Sequence, residues 1–198
     1  MGEIMKIRKE LGEKFLKEKG LKLGIMSFFL KACAQALKER PIVNSVISED
    51  LTKIIHRNYV DISVAVSSPK GLVVPVLRNV EQMTFTDIEC SMNQLAKKAR
   101  EGKLELEEMS GGTFTISNGG VFGSFLSVPI INPPQSAILG MHNIIDTPVA
   151  RNGQVVIRPT MHVSLSYDHR LLDGREGAGF LKRVSDLLSD PRMLLIEL

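Results

Sequence analysis

The sequence has few cysteines and no tryptophan, and neither shortage limits a chain of this length. Cys33 and Cys90 are the two cysteines among 198 residues, too few for a disulfide framework, so we expect a reducing compartment. Folding at this length buries roughly 70% of the surface that the unfolded chain exposes, so the core needs no disulfide or metal. With 43% hydrophobic and 24% charged residues, the composition predicts one ordinary globular domain.

The sequence also lacks a long apolar run and a block of like charge. The most apolar stretch near the start, residues 25–30, is interrupted by Ser27 and is far shorter than the ~18 residues of a membrane span. The net charge is +3, with basic and acidic residues intermixed. We therefore expect neither a membrane nor a nucleic-acid partner. The first 20 residues carry charges throughout and do not resemble a signal peptide.

Two amphipathic helices are predicted in the first 40 residues. Apolar residues at three- and four-residue spacing form one stripe: Ile4, Ile7, Leu11 and Phe15. This first helix is expected to end near Gly20, and its apolar face at the very start suggests a piece of a longer protein. A second helix is expected from a cap at Ser27 to just before Pro41, with Cys33 packed inside.

Strand patterns and a third helix follow. Alternation through residues 60–66, a turn at residues 67–71 and the apolar run 72–77 predict a hairpin or a bent strand pair. Pro75 lacks a backbone donor and is expected at an edge or a bulge. Thr86 and Glu89 have capping-box spacing, and Gly102 marks the expected end of this helix. Its apolar face consists of Ile88, Met92, Leu95 and Ala99, whereas Cys90 lies off that face.

The second half predicts further strands and a last helix. Residues 113–117 are expected to form a short strand that enters a glycine-rich loop at residues 118–123, and residues 136–141 form another apolar run. Asn152-Gly153 predicts a tight hairpin. A strand through residues 161–167 and a helix through residues 175–189 follow. Because several strands are joined by hairpins, we expect an α+β type of α/β fold, a mixed sheet with helices packed on one side.

The glycine-rich loop and the histidines are the candidates for chemistry. The loop lacks the Lys-Ser/Thr pair of a phosphate-binding loop, so close backbone approach explains its glycines better than a phosphate cradle does. The sequence contexts of three histidines favour structural roles: His56, His142 and His162. His169 stands where an alternating strand ends, beside Asp168. A surface His–Asp pair and a functional site are equally compatible with this spacing, and a metal site lacks a further ligand.

Residues 166–176 resemble the His-x-x-x-Asp-Gly signature of the acyltransferases of 2-oxoacid dehydrogenase complexes and of chloramphenicol acetyltransferase. Three other stretches are similar to the same family's hallmark segments, in the same order: residues 71–76, 112–120 and 130–140. The resemblance covers essentially the whole chain. Residues 118–123 and 133–142 are most similar to the succinyl-transferring branch, and residues 59–66 are closer to mitochondrial than to bacterial members.

The resemblance implies a chloramphenicol acetyltransferase-like fold and assigns roles to individual residues. His169 matches the general base, Ser117 the hydroxyl that donates to the oxyanion, and Asp173 the residue that holds the local structure or tunes His169. Asn118 and Gly119 are expected near coenzyme A. An imidazole, with a pKa near ~6.5, is a suitable base for a thiol with a pKa near ~8.5. Neither cysteine falls in a motif, so direct transfer without an acyl-enzyme is expected.

The resemblance also implies substrates and partners. Coenzyme A is one substrate, and the other is a lipoyl group carried on a domain absent from this chain; residues 1–198 correspond to the catalytic domain without its opening. Members form homotrimers that assemble into a cage with dehydrogenase and dihydrolipoamide dehydrogenase components, in the mitochondrial matrix or the bacterial cytoplasm. The alternatives are an acetyl- or branched-chain-acyltransferase, an antibiotic-modifying transferase, a noncatalytic core component and a metal hydrolase. His142 and Ser124 are candidates for recognising the succinyl carboxylate.

Overall fold

The helices occupy both halves of the chain. A computed structural model describes residues 1–69 and 71–196, so Lys70 of the predicted turn lies outside the described residues. Its α-helices are α1 (Gly2–Lys19), α2 (Ile25–Glu39), α3 (Phe85–Glu101), α4 (Leu106–Met109) and α5 (Gly174–Ser189). In these two ranges no helix is both long and apolar enough to cross a bilayer.

The strands form one five-stranded sheet and two small ladders. They are β1 (Val46–Ile47), β2 (Ile54–Ile55), β3 (Ile62–Val64), β4 (Val66–Ser68), β5 (Gly71–Val73), β6 (Val76–Leu77), β7 (Phe114–Asn118), β8 (Ala137–Arg151) and β9 (Gln154–Tyr167). The order in the large sheet is β6-β3-β7-β8-β9, and β1-β2 and β4-β5 form the ladders. Strand β7 is parallel to β3 and β8, whereas β6 and β9 are antiparallel to their neighbours. The sheet is therefore mixed, as the hairpin signals predict.

One face of the sheet packs against the helices and forms the core. Phe114 and Ile116 of β7 are fully buried on this face, and the Phe114 ring lies 5.4 Å from the ring of Phe180 in α5. Leu139 of β8 and Phe29 of α2 belong to the same cluster of buried residues. The predicted arrangement of a mixed sheet with helices on one side is confirmed.

The outer face of the sheet, turned away from the helices, is covered by a loop of the same chain. The Thr115 hydroxyl donates to Gln135 Oε1, and Gln135 Nε2 donates to Ser63 Oγ at 3.2 Å. Farther along, the Ser166 hydroxyl donates to the carbonyl oxygen of Pro129. Residues 129–135 therefore satisfy polar side chains of this face, which buried hydroxyl groups require.

The start of α2 differs from the prediction. Gly24 is the N-cap, and the Ser27 hydroxyl lies inside the first turn, where it donates to the Gly24 carbonyl at 3.0 Å. The Gly24 amide donates to Glu89 Oε1 of α3 at 2.6 Å, so a carboxylate distant in the chain binds the amide of the N-cap residue, and within the described residues no side chain caps the first turn. The end before Pro41 is confirmed. Cys33 is buried as predicted, and burial raises the pKa of its thiol.

Helix α3 also begins earlier than predicted. Thr84 is its N-cap: the Thr84 hydroxyl accepts from the Asp87 amide at 3.2 Å, and Asp87 Oδ2 accepts from the Thr84 amide at 2.9 Å. The capping box is therefore Thr84–Asp87, not Thr86–Glu89. Phe85 packs its ring 4.9 Å from that of Phe28, which holds the first turn against α2. The predicted ends of α1 and α3 are confirmed, since Gly20 and Gly102 have left-handed conformations.

The predicted hairpins are confirmed. Strands β8 and β9 are joined by Asn152 and Gly153, with φ angles of 51° and 75°, both in the region that a tight hairpin turn needs. Strands β3 to β6 form the bent pair: β4 pairs with β5 beyond the sheet, and β3 pairs with β6 within it. Pro75 precedes β6, which is an edge strand, as predicted.

Replacement of Thr84, the observed N-cap of α3, is expected to destabilise the protein more than replacement of Thr86, the cap that the sequence predicts. Thr84→Ala removes a cap hydrogen bond and should lower the free energy of unfolding by about 1 kcal/mol. Thr86→Ala leaves the capping box intact and is the matched control, with a change within about 0.5 kcal/mol. Urea unfolding of both variants measures the difference. A larger loss for Thr86→Ala would contradict the observed helix start.

Candidate active site

Ser117 lies near the end of β7 on the outer face of the sheet. Its Cα partner is Gly140 of β8, so no side chain of that strand stands beside it. Because side chains alternate along a strand, the burial of Ile116 against the helices turns Ser117 the other way. Within residues 1–69 and 71–196 the Ser117 hydroxyl makes no hydrogen bond. It is a potential donor held on a rigid strand.

The glycine-rich loop after β7 is held close to β8. The Gly119 amide donates to the carbonyl of Met141 at 3.0 Å, and the Asn118 side chain accepts from the Gly120 amide at 3.0 Å. A Cβ on Gly120 would lie 2.5 Å from the carbonyl carbon of His142 and 2.7 Å from the amide nitrogen of Asn143. Close backbone approach therefore explains the glycine. Contact of Asn118 and Gly119 with coenzyme A stays a prediction.

His169 stands just beyond the end of β9, exposed, with its ring beside Tyr167. The two ring centroids are 5.5 Å apart and the ring planes are inclined by 40°. Neither imidazole nitrogen makes a hydrogen bond within the described part of the chain. Both nitrogens are therefore accessible to a substrate, and Tyr167 is the aromatic neighbour of the ring.

The two carboxylates near His169 are used elsewhere. Asp168 accepts from the Arg170 guanidinium at 2.7 to 3.2 Å, and these hydrogen bonds lower the pKa of Asp168. Asp173 is the N-cap of α5 and accepts from the Glu176 amide at 2.9 Å. The resemblance implies that Asp173 either holds the local structure or tunes His169. This contact corresponds to the first of these two roles. Neither carboxylate is hydrogen-bonded to His169.

One chain does not bring Ser117 and His169 together. In the register Ser117 stands opposite Gly140, and Gly140 stands opposite Ser164, which places Ser117 and Ser164 about 10 Å apart across two strand spacings. Tyr167 is a further three residues along β9, another ~10 Å, and His169 lies beyond it. A hydrogen-bonded contact between these two side chains within one subunit is therefore excluded.

The other histidines have the structural contacts that their contexts favour. His142 is buried: its Nδ1 is 2.9 Å from the carbonyl oxygen of His162, and the Ser127 amide donates to its Nε2 at 2.8 Å. Both ring nitrogens therefore have partners within the chain, which leaves neither for a substrate carboxylate. His56 Nδ1 bonds the Ser45 hydroxyl at 2.7 Å. Ser124 is the other candidate for recognising the succinyl carboxylate. Its side-chain hydroxyl makes no hydrogen bond within the described ranges.

An exposed apolar segment lies next to Ser117, and the sequence reasoning did not single it out. Residues 121–130 include four side chains at least 71% exposed: Val121, Phe122, Val128 and Ile130. An apolar stretch between a glycine-rich loop and a proline pair was the signal that could have revealed it. Exposed apolar surface of this kind is typical of a site that binds another protein chain, a ligand or a membrane.

Comparison with known proteins places the chain in a family. The family model of the 2-oxoacid dehydrogenases acyltransferase (catalytic domain) matches residues 1–196. The chain belongs to this family. The resemblance to this family, drawn first from residues 166–176, is therefore confirmed.

Curated relatives of this family member come from mitochondria and from bacteria. The dihydrolipoyllysine-residue succinyltransferase component of the mitochondrial 2-oxoglutarate dehydrogenase complex of Homo sapiens is 57% identical over 198 residues, 100% of this chain and 44% of the relative. The corresponding component of Escherichia coli K12 is 56% identical over 197 residues, 100% of this chain and 48% of the relative. The chain thus spans about half the length of these relatives, and their similarity does not separate a mitochondrial from a bacterial member.

Solved structures of the family superpose closely on this chain. A dihydrolipoamide acetyltransferase of Azotobacter vinelandii and the cubic core of a pyruvate dehydrogenase multienzyme complex each have a TM-score of 0.94 and 40% identity, covering 98% of this chain and 79% of theirs. In the Azotobacter enzyme a serine, a histidine and an asparagine were studied for their role in catalysis. Their separations along the chain equal those of Ser117, His169 and Asp173, with an asparagine where this chain has the aspartate.

A more distant likeness confirms the fold class. Chloramphenicol acetyltransferase has a TM-score of 0.53 and 19% identity, and the match covers 89% of this chain and 82% of that one. At this identity the match shows the fold alone. The expected chloramphenicol acetyltransferase-like architecture is therefore confirmed.

A methyl group at Gly120 is expected to disturb the loop. Gly120→Ala must move the backbone at residues 142–143, because its Cβ has no space, and should lower the free energy of unfolding by about 1–3 kcal/mol. Gly12→Ala in α1 meets no atom within 4 Å and is the control, for which no loss is expected. Thermal and urea unfolding test both variants. Unchanged stability of Gly120→Ala would show that the close approach is not required.

Proposed function

We propose that this chain transfers a succinyl group between the thiol of a dihydrolipoyl group and the thiol of coenzyme A. The observation that carries the proposal is the arrangement of Ser117, His169 and Asp173, at the separations of three residues studied for catalysis in a related acetyltransferase. The identity of 57% to a succinyltransferase component over the whole chain supports succinyl as the acyl group.

His169 is the general base of the proposed reaction. Its imidazole takes the proton of the attacking thiol, and the resulting thiolate sulfur bonds to the carbonyl carbon of the acyl thioester. When the tetrahedral intermediate collapses, the carbon–sulfur bond to the leaving thiol breaks and His169 returns the proton to that sulfur. Exposed imidazole nitrogens without a partner in the described chain suit this shuttle.

Ser117 stabilises the negative charge of the intermediate. The carbonyl oxygen becomes an oxyanion when the thiolate attacks, and a preorganised hydroxyl donor lowers the energy of that state. The backbone of Ser117 is paired with Gly140 of β8, and its hydroxyl makes no competing hydrogen bond within the described ranges. A donor of this kind acts mainly in the transition state.

The site is assembled from two subunits of a homotrimer. Two observations support this: Ser117 and His169 lie too far apart within one chain, and the exposed apolar segment 121–130 adjoins Ser117. A neighbouring chain that covers this segment would bring its own His169 to Ser117. In a closed cyclic trimer each of three interfaces then contains one complete site.

A larger assembly supplies the lipoyl substrate. The curated relatives are about twice as long as this chain and are components of the 2-oxoglutarate dehydrogenase complex, and one structural neighbour is the cubic core of a multienzyme complex. We assign the chain the same place: the trimers form a cage, and a lipoyl group on another domain visits each site between the dehydrogenase and dihydrolipoamide dehydrogenase components. The location is the matrix, or the cytoplasm in a bacterium.

A second candidate is transfer of an acetyl or branched-chain acyl group. The structural match to an acetyltransferase, at 40% identity and a TM-score of 0.94, favours the same chemistry on a different acyl group. The Ser124 hydroxyl, near Ser117 in the glycine-rich loop region, is the proposed contact for a succinyl carboxylate. A noncatalytic core component would have no use for His169, whose presence disfavours that class.

The acyl preference tests the proposed function. With free dihydrolipoamide as acceptor, succinyl-coenzyme A should react faster than acetyl- or isobutyryl-coenzyme A, and His169→Ala should lower the rate of the preferred substrate by about 10²–10⁴-fold. His162→Ala is the matched control, because His162 is also exposed at β9 but faces Phe125. Preference for another acyl group would favour the second candidate; near-normal turnover by His169→Ala would contradict the mechanism.

Mixing of two inactive variants tests the shared site. Ser117→Ala should lower kcat by about 10²–10³-fold with little change of KM. Trimers that combine Ser117→Ala with His169→Ala chains contain one interface with both native groups, so about one third of the wild-type activity should return. The two chains are co-expressed and the trimers confirmed by sedimentation. If the mixed trimers are no more active than trimers of either variant alone, then both groups belong to the site of one subunit or Ser117 does not belong to the site.

A further inference from the structure

Within residues 1–69 and 71–196, no carboxylate explains the orientation of the His169 imidazole. A catalytic histidine is commonly held in place by a hydrogen bond from its second ring nitrogen. Here Asp168 is bound to Arg170 and Asp173 to the start of α5, and no other hydrogen bond reaches the ring within the described residues. An exposed imidazole without such a contact samples several rotamers. Only some of these rotamers align its nitrogen with the substrate.

The Tyr167 side chain provides the contact that the carboxylates do not. Tyr167 is the last residue of β9 and pairs with Ala137, so its backbone is fixed by the sheet. Its ring lies 5.5 Å from that of His169 at an inclination of 40°. Such a tilted arrangement is within the range of favourable aromatic contacts.

Helix α5 also packs against the Tyr167 ring. A Cβ on Gly177 would lie 2.7 Å from Tyr167 Cε1 and 3.2 Å from Cδ1 and Cζ, so the ring occupies the space that the glycine leaves. Gly177 is buried and stands within α5, where a glycine has no conformational advantage. Close packing of the tyrosine accounts for its presence there.

We propose that Tyr167 is a positioning residue for His169: its ring, seated on Gly177, limits the orientations of the imidazole and aligns it with the thiol. This inference rests on the proposed function of His169 as general base. The Tyr167 hydroxyl makes no hydrogen bond in the described ranges, so the contact is made by the ring rather than by the phenol group. A phenylalanine ring would serve equally.

Kinetics of three variants test the proposal. Tyr167→Ala should lower kcat by about 10–100-fold, because a misaligned base loses transition-state stabilisation, while KM for coenzyme A stays within about twofold. Tyr167→Phe should retain kcat within about threefold. Leu165→Ala is the matched control for lost packing, since Leu165 lies two residues earlier on the same face of β9 and packs against the core away from His169. It should lower stability without lowering kcat.

A glycine pair in α5 provides a second test that leaves Tyr167 and His169 unchanged. Gly177→Ala should displace the tyrosine ring and lower kcat by about tenfold, even though alanine favours the helix. Gly179→Ala is its control: the added Cβ meets the guanidinium end of the Arg40 side chain instead of the Tyr167 ring, and kcat should be unchanged. This pair keeps the proposal testable if Tyr167→Ala does not fold.

The outcomes separate this proposal from the proposed function. Wild-type kcat in Tyr167→Ala or in Gly177→Ala, alongside an inactive His169→Ala, would overturn the positioning role and leave the general base in place. Loss of kcat in Tyr167→Phe as large as in Tyr167→Ala would also overturn it, because the hydroxyl would then be the active group. Activity of His169→Ala would overturn the function itself. Crystal structures of Tyr167→Ala trimers should show the imidazole in more than one rotamer.

Discussion

Burial of β7 on both faces is the constraint on which the candidate site depends. Phe114 and Ile116 are fully enclosed by the helical layer, and Thr115, on the opposite face, is bound by Gln135 of the covering loop. Parallel strands flank β7 on both sides. A strand held in this way cannot slip, because a shift of one residue would move every apolar side chain to the polar face. The position of Ser117 follows from this fixed register.

The same register determines how far one subunit can complete the site. Strand β8 lies between Ser117 and β9, and His169 follows the end of β9, so the chain presents a hydroxyl donor and a base at separate places. Residues 121–130 expose their apolar side chains next to the donor. Burial of this apolar surface by another chain is favourable in itself. In the proposed trimer, one surface would therefore drive both subunit association and completion of the site.

Local signals in the sequence predicted most elements, and contacts between distant residues account for the failures. Asn152-Gly153 predicted its hairpin because both residues accept positive φ. The cap of α2 was predicted wrongly: the helix begins after Gly24, whose amide is bound by Glu89, a residue distant in the chain. The resemblance supplied Ser117, His169 and Asp173 from short motifs. No local pattern indicates that Tyr167 packs against both Gly177 and His169, since the contact with Gly177 depends on how α5 meets β9.

An aromatic contact in place of a carboxylate is suited to thiol chemistry. A hydroxyl nucleophile loses its proton at great cost, and a carboxylate beside the histidine helps by stabilising the imidazolium that forms. A thiol, with a pKa near ~8.5, gives its proton to an imidazole far more readily. The base then needs alignment more than electrostatic support. Asp168 binds Arg170 and Asp173 caps helix α5, while in the proposed mechanism the ring of Tyr167 supplies alignment without adding charge beside the sulfur.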